Sequence, residues 1–327
     1  MSTNTFIIGS GSYLPENVIT NEALAGTLGL EAERIFKSSG IRSRHWANDN
    51  TPTSVLATCA LLRALQDAGI AAQDVDYLLC GTMTPDRFVP GNAAAIQKAA
   101  ALGEIPCLDI RAACCNTLYA VQLASALVST GAARCVAICL AEIQSRYLDL
   151  SPDSGTISML FGDGASALIV SAEPGAGSIE LLDVLLATDG SYVDDLGVRS
   201  PGTAFREGQR SDWFPRMNGQ SVILQASRRM VAASQAVLER NKVTASQIRW
   251  VVPHQANANL LAQVARGLGV TKGEVITVLE DSANTSSASM GLALDSLRRS
   301  RRIETGDYLL LPAFAAGFTW GAALCRA

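Results

Sequence analysis

The sequence predicts an α/β fold of five layers, α-β-α-β-α, built from two duplicated halves. Three observations predict it. Short apolar runs alternate with segments of helical spacing along all 327 residues. The second half repeats the order of the first at a near-constant offset. Two segments of small and apolar residues begin at matched positions, Cys114 and Ser287, and a helix apolar on every side is buried on every side. Two such helices packed against each other would form the middle layer, with a sheet and outer helices on either side.

In chain order, Phe6-Ile7-Ile8-Gly9 reads as a first strand, followed by a turn through Pro15. Asn21 is placed to cap a short helix. Residues 37–46 form a polar, basic stretch with His45 at its exposed end. Helical spacing runs over 52–69, with Gly69 as the stop. A strand over 75–80, an Ala-rich helix over 91–102, a buried strand ending at Ile110, the central helix up to Gly131 and a strand over 135–140 follow. Gly162-Asp163-Gly164 is a tight turn before an apolar run to Val170. The repeat aligns Val75 with Ile248 and Arg134 with Asp307, both at an offset of 173. Gly164 aligns with Gly321 at an offset of 157, so that loop is shorter by 16 in the second half. The expected division is 1–172 and 173–327, each half holding a largely parallel sheet covered on both faces.

Composition narrows the function classes. Hydrophobic residues make up 48% and charged residues 17%, which supports a large core rather than disorder. A net charge of −4 argues against nucleic acid as a partner. No apolar run is long enough to span a bilayer, and the first residues lack the basic and apolar regions of a signal peptide. The eight cysteines are scattered without a C-x-x-C pair, so neither a disulfide framework nor a metal site is expected, and the expected compartment is the cytoplasm.

The chemistry concentrates at a few residues. Cys114 and Cys115 stand where strand gives way to helix, and a helix N-terminus favours the thiolate that attacks carbonyls. Two readings stand here: a nucleophile, or two small core residues. His254 directly follows a strand, at the end where open α/β sheets bind ligands. Asn284 opens the second small-residue segment, three residues before the position matched to Cys114. Pseudo-twofold geometry would bring the three together, and a Cys with a nearby His and an amide donor is an acyl-transfer arrangement. Asn284 also reads as an N-cap. Gly317 reads as a turn glycine or as the source of a backbone N–H beside that of Cys114 in an oxyanion hole. Residues 182–217 interrupt the pattern and carry Arg199, Arg206, Arg210 and Arg216 with Phe205, Trp213 and Phe214. They read as a substrate lid with phosphate-facing arginines, or as a solvated loop.

Taken together, Ala112-Ala113-Cys114 with Tyr119, Phe161-Gly162-Asp163-Gly164, Met217-Asn218-Gly219, His254-Gln255-Ala256-Asn257, Asn284-Thr285-Ser286 and Gly317-Phe318-Thr319-Trp320-Gly321 make the chain similar to the β-ketoacyl-acyl-carrier-protein synthase III family of the thiolase superfamily. The resemblance covers nearly the whole chain and implies the thiolase-like fold. It places the nucleophile five residues before Tyr119, at Cys114. It implies that Cys114 takes an acyl group from acyl-coenzyme A, with the N–H groups of Cys114 and Gly317 as oxyanion hole. His254 and Asn284 would then stabilise the enolate formed when a malonyl thioester on acyl carrier protein loses carbon dioxide. No permanently bound cofactor is implied, and the implied assembly is a homodimer joined through edge strands of the N-terminal halves.

The chain departs from the family pattern at the donor site. Arg34 stands at a common tryptophan, Ser38 and Asn259 stand at basic positions, Val89 stands at a bulkier gate residue, and Ala315 and Ala316 stand at two glycines. Arg34, Lys37 and Trp46 are the candidate substitutes, and Asn257, Phe205, Arg206, Arg210 and Trp213 complete the expected substrate-binding set. Condensation is the leading function. The alternative is an acyltransferase on the same scaffold that delivers the acyl group to an alcohol or amine. A degradative thiolase lacks its second reactive cysteine here, and a silent partner subunit would not keep all three catalytic positions filled.

Overall fold

The computed structural model describes residues 4–205, 209–270 and 273–327. Among these, ten strands form one sheet. From edge to edge they are Glu274–Val275, Ile248–Val251, Tyr308–Ala315, Thr319–Arg326, Ile179–Thr188, Thr5–Tyr13, Gly164–Ser171, Cys135–Glu142, Tyr77–Gly81 and Cys107–Ile110. The order is palindromic. It mirrors about the short antiparallel pairing of Thr5, Phe6 and Ile7 with Leu181, Glu180 and Ile179. The strands starting at 135 and 308 are 173 apart, as are the 3-10 turns Ala113–Cys115 and Ser286–Ala288 and the starts of the central helices Asn116–Ser129 and Ser289–Arg299.

Side-chain alternation along the strands builds the layers, because successive residues point to opposite faces. Val136, Ile138 and Leu140 join Leu309, Leu311 and Ala313 around the two central helices, with Leu118, Val121, Met290 and Leu294 between them. The alternate residues Ala137 and Cys139 turn outward onto helix Thr53–Ala68, through Leu56, Leu61 and Leu65. Leu310 and Phe314 turn outward onto helices Gly219–Arg240 and Ala258–Leu268, through Met230, Val237 and Val264. Three apolar clusters, the central one shared by both faces of the middle layer, therefore fill the spaces between five layers. Helix Thr53–Ala68 lies close against the first strand because a Cβ at Gly11 would stand 2.3 Å from the Ala60 carbonyl oxygen. The helix stops where Gly69 adopts φ +68°, as expected.

Several expectations need correction. The sheets are mixed rather than largely parallel. Strand Gly164–Ser171 runs antiparallel to both neighbours, and so does Thr319–Arg326. In the second half three residues join the strand pair, and so short a connection permits only a hairpin. Glu142 pairs with Gly164 and Ala315 with Thr319, so this connection is shorter by 18 in the second half, not by 16. Strand Cys107–Ile110 is a sheet edge rather than buried, and Leu108 is 41% exposed. Helix Ser289–Arg299 is buried over its first seven residues, whereas Asn116–Ser129 leaves Gln122, Leu123 and Ala126 exposed. In the basic stretch Arg44 is fully buried. Its guanidinium donates to Asn21 Oδ1 at 2.8 Å and to the Met159 carbonyl at 2.9 Å, and desolvation pulls its pKa down to about 10. His45 is half-buried, not exposed, with Nδ1 bound to the Pro15 carbonyl.

Candidate active site

The site forms where the two central helices begin. In each half the chain turns sharply into the central helix, after strand Cys107–Ile110 in the first half and after the short helix Leu279–Ser282 in the second, and at the turn a residue other than glycine is forced into the left-handed region. Ala113 and Ser286, again 173 apart, both have φ +48°. Such conformations cost about 1–3 kcal/mol each and persist where surrounding structure imposes them. At the first elbow Asn116, fully buried, accepts from the Ala112 N–H at 2.7 Å and ties helix to strand. At the second, Asn284 accepts from the Ser286 N–H at 2.8 Å. The Asn284 backbone pairs with the 160–162 segment, donating to the Leu160 carbonyl at 2.9 Å and accepting from Gly162 at 3.1 Å. The capping and donor readings of Asn284 are therefore compatible. Its oxygen caps the turn, which leaves the amide nitrogen as the free end.

Cys114, His254 and Asn284 line one cavity of about 320 Å³. Its other walls are mostly apolar, with Leu160, Phe161, Val222, Leu260 and Phe314 prominent, as suits a small-molecule site with a few convergent polar groups. Cys114 is half-buried, with Sγ 3.4 Å from Ser286 Oγ. Burial pushes its thiol up to about 11; the Ser286 hydroxyl opposes the rise and Glu142 adds to it. Desolvation of the anion therefore works against the thiolate that the helix start favours. Cys115 is fully buried in the central core, within 3.5 Å of the Thr319 carbonyl, and does not line the cavity.

His254 leaves strand Ile248–Val251 and stays beside Tyr308–Ala315 through its N–H, which donates to the Pro312 carbonyl at 3.0 Å. Its ring is 3% exposed, and Nδ1 lies 2.7 Å from Ser289 Oγ. Burial pulls its pKa down to about 4, so the imidazole is neutral at working pH. Gln255 braces the loop, donating to the Pro253 and Ile276 carbonyls and accepting from the Val278 N–H. Gly317 turns the hairpin between Tyr308–Ala315 and Thr319–Arg326 at φ +135°. It faces a recess of about 420 Å³ that shares Met83, Arg111, Ala113 and Ala316 with the main cavity.

A residue that sequence reasoning missed stands behind the elbows. Glu142 ends the apolar strand Cys135–Glu142 and is fully buried. It accepts from Ser287 Oγ at 2.6 Å, the Met83 N–H at 3.0 Å and Thr84 Oγ1 at 3.0 Å. Desolvation raises its pKa to about 7 against the pull of those donors. The available signal was an acid directly after seven residues of unbroken apolar strand.

The expected substrate-binding residues scatter. Asn257 reaches the cavity, but its side chain caps helix Ala258–Leu268 and donates to the Ser38 carbonyl at 2.9 Å; Asn259 donates to the same carbonyl at 3.0 Å. Arg34 and Lys37 line a separate surface groove with Glu31 and Glu33, where Lys37 pairs with Glu33. Trp46 packs in a peripheral apolar cluster around Leu24 and Ile35. Val89 is 79% exposed on an outer loop. Phe205 lies under the Arg199 guanidinium, Arg210 stands 6.0 Å from the Phe214 ring, and Trp213 is exposed; none of these lines the cavity. Arg206 lies outside the described residues. Arg199 and Arg216 are not poised for phosphate, because both are bound to Asp212, and Arg199 also to Asp194. What the 182–217 segment does supply is apolar wall: Leu196, Gly197, Val198, Pro215 and Met217 line the cavity.

Comparison with known proteins identifies the family. A family model described as 3-oxoacyl-[acyl-carrier-protein (ACP)] synthase III matches residues 108–190, and the model for the C-terminal part of that family matches 238–327. Beta-ketoacyl-[acyl-carrier-protein] synthase III of Xanthomonas oryzae pv. oryzae is 38% identical over 326 residues, which cover 98% of this chain and 97% of that protein. The protein of the same name from Rhizorhabdus wittichii is 39% identical over 321 residues, 98% of each chain. Among solved structures, 3-oxoacyl-[acyl-carrier-protein] synthase III from Aquifex aeolicus superposes with a TM-score of 0.91 at 31% identity, covering 99% of this chain and 100% of the other. The priming β-ketosynthase of a polyketide pathway superposes with a TM-score of 0.90 at 30% identity, covering 99% and 96%. The chain belongs to the β-ketoacyl-acyl-carrier-protein synthase III family, with its thiolase-like fold.

Proposed function

We propose that this protein is a decarboxylating condensing enzyme that joins an acyl group from an acyl-coenzyme A thioester to a malonyl unit carried on acyl carrier protein, in fatty-acid or polyketide-type biosynthesis. The observation that carries the reading is the convergence of Cys114, a neutral His254 and an Asn284 with its amide nitrogen free on one largely apolar cavity.

In the first half-reaction the Cys114 sulfur attacks the thioester carbonyl. The N–H groups of Cys114 and Gly317 hold the resulting oxyanion. Collapse expels the donor thiolate, which takes up the proton lost by Cys114, and leaves an acyl-enzyme. The malonyl thioester then enters. Its carboxylate leaves as carbon dioxide, and the electron pair moves into an enolate whose oxygen accepts from His254 and Asn284. A neutral ring and an amide suit this role, since both donate to a developing negative charge and neither carries one. The enolate carbon attacks the acyl-enzyme carbonyl, a carbon–carbon bond forms, and the Cys114 thiolate departs and is reprotonated. Transfer to an alcohol or amine has no comparable observation in its favour.

A second copy of the chain is the proposed partner, joined at the free edge strand Cys107–Ile110, where Leu108 and Leu123 are exposed, with Phe88 and Val89 on a neighbouring loop. Eight free cysteines fit a reducing cytoplasm, and among the described residues no helix is long and apolar enough to cross a membrane.

Intact-protein mass spectrometry tests the reading. The protein is mixed with a panel of acyl-coenzyme A esters and then with malonyl-acyl-carrier protein. A mass gain on Cys114 that is discharged with release of carbon dioxide is the expected result. Discharge by an alcohol or amine alone, or no gain with any thioester, would overturn it.

A further inference from the structure

We propose that Ser289 is a positioning residue for His254: its hydroxyl donates to Nδ1, which fixes the ring as the Nε2–H tautomer and turns that N–H toward the reacting carbonyl. The inference rests on the condensing-enzyme reading above for its consequence, but not for its geometry.

Two contacts decide the direction of the bond. Ser289 Oγ lies 2.7 Å from His254 Nδ1. The Gln255 N–H donates to the same oxygen at 3.2 Å, and a backbone N–H has no other role than donor. The hydroxyl has one proton left to place. Among the described residues Nδ1 is the only acceptor within its reach, and Ser289 is 1% exposed. Were Nδ1 to carry the hydrogen, two donors would converge on one oxygen, and the Ser289 proton would be buried without an acceptor. Buried polar groups avoid that state. With Nδ1 accepting, Nε2 bears the hydrogen, and among the described residues no protein group is hydrogen-bonded to it, so it is free for a ligand in the cavity His254 lines. Ser289 is the first residue of helix Ser289–Arg299 and fully packed, so ring and helix are held as one unit. The low pKa of the imidazole agrees, since the ring stays neutral and its tautomer matters at working pH.

The chain supplies its own control. It has two histidines, and the other, His45, bonds through Nδ1 to the Pro15 carbonyl, which can only accept. The two rings should therefore be opposite tautomers, His45 with Nδ1–H and His254 with Nε2–H.

Long-range proton–nitrogen correlation spectra of the full-length protein, labelled with ¹⁵N-histidine and recorded near neutral pH, read both tautomers directly, with His45→Gln assigning the signals. The expected wild-type result is one ring of each kind. In Ser289→Ala the His254 signals should become a mixture of tautomers. Condensation kcat should fall by about tenfold to a hundredfold, the usual size of outer-shell effects, while the rate of Cys114 acylation changes little. Ser289→Thr, which keeps the hydroxyl, should restore tautomer and rate. An Nδ1–H tautomer at His254 in the wild type overturns the proposal even if Ser289→Ala fails to fold. So does a Ser289→Ala protein that keeps the Nε2–H tautomer and full condensation. If the wild type does not condense at all, the reading of the activity fails, and the spectra still decide the tautomer.

Discussion

Replacing Glu142 by Gln should change how stability depends on pH. The carboxyl is fully buried against the second elbow, and desolvation lifts its pKa from the ordinary 4.5 to about 7. In the unfolded chain the group loses its proton near the ordinary value; in the folded chain it holds the proton until near neutrality. Between those two values the folded state binds the extra proton, so stability falls as pH rises through the window. Each pH unit is worth about 1.36 kcal/mol, and the rise from 4.5 to about 7 gives a loss on the order of 3 kcal/mol by pH 8. A glutamine side chain at this position would keep an oxygen for Ser287 and Met83 and carry no charge to desolvate. Urea unfolding of wild type and Glu142→Gln at pH 5 and pH 8.5 isolates the effect, since every other titrating group is common to both. The difference between the proteins should move in favour of Gln by roughly 2–3 kcal/mol from the lower pH to the higher. A difference that stays constant with pH would refute the reasoning. Because the carboxylate also raises the Cys114 thiol, the same variant should react faster with iodoacetamide at pH 8.

Three further outcomes are expected. Cys114→Ala should abolish acyl-enzyme formation in the mass spectrum while Cys115→Ala retains it, because only Cys114 faces the cavity; labelling at Cys115 would reverse the assignment. Asn284→Ala should slow decarboxylation by about 10²–10³, the usual effect of deleting one anion-stabilising donor, and slow acylation much less; stopped-flow and carbon dioxide release separate the steps, and equal losses would sink the enolate role. Gly11→Ala should destabilise the fold by about 1–3 kcal/mol in urea, since the new Cβ would meet the Ala60 carbonyl oxygen at 2.3 Å and the Ala64 nitrogen at 2.5 Å; an unchanged midpoint would show that strand and helix can separate freely.

What was legible in the sequence followed from periodicity. The offset of 173 needed only apolar spacing and one Asp or Arg before a strand, and strands, turns and central helices keep that offset in three dimensions. His254 and Asn284 stood out in the sequence as members of recognisable motifs, and the structure sets both on the cavity that Cys114 lines, although Asn284 follows the short helix Leu279–Ser282 rather than a strand. The substrate-binding guesses around Arg34, Trp46 and Val89 were not legible, because they assigned function to residue type without knowing which face each side chain takes. Arg44 shows the same limit in reverse. An arginine in a polar, basic stretch carries no mark of burial in the sequence, and only the acceptors at Asn21 and Met159 explain why it is inside. Arg199 and Arg216 read as phosphate ligands until Asp212 is seen between them.

The duplication also gives the two like elbows different parts at one cavity, which both of them line. Strand Cys135–Glu142 packs on the second elbow, and its counterpart Tyr308–Ala315 packs on the first. Glu142 at the end of one strand occupies the position that Ala315 occupies in the other, at the same offset of 173. At the second elbow, therefore, an internal carboxylate meets the helix start and accepts from Ser287. At the first elbow the matching position is a methyl group, its neighbour Ala316 lines the cavity, and Cys114 stands where Ser287 stands opposite. One helix start has its anion built in, and the other is left open for an anion that forms during reaction. Two copies of one unit thus yield a single asymmetric site, and an acid facing an alanine at one matched position is part of what distinguishes the braced helix start from the other.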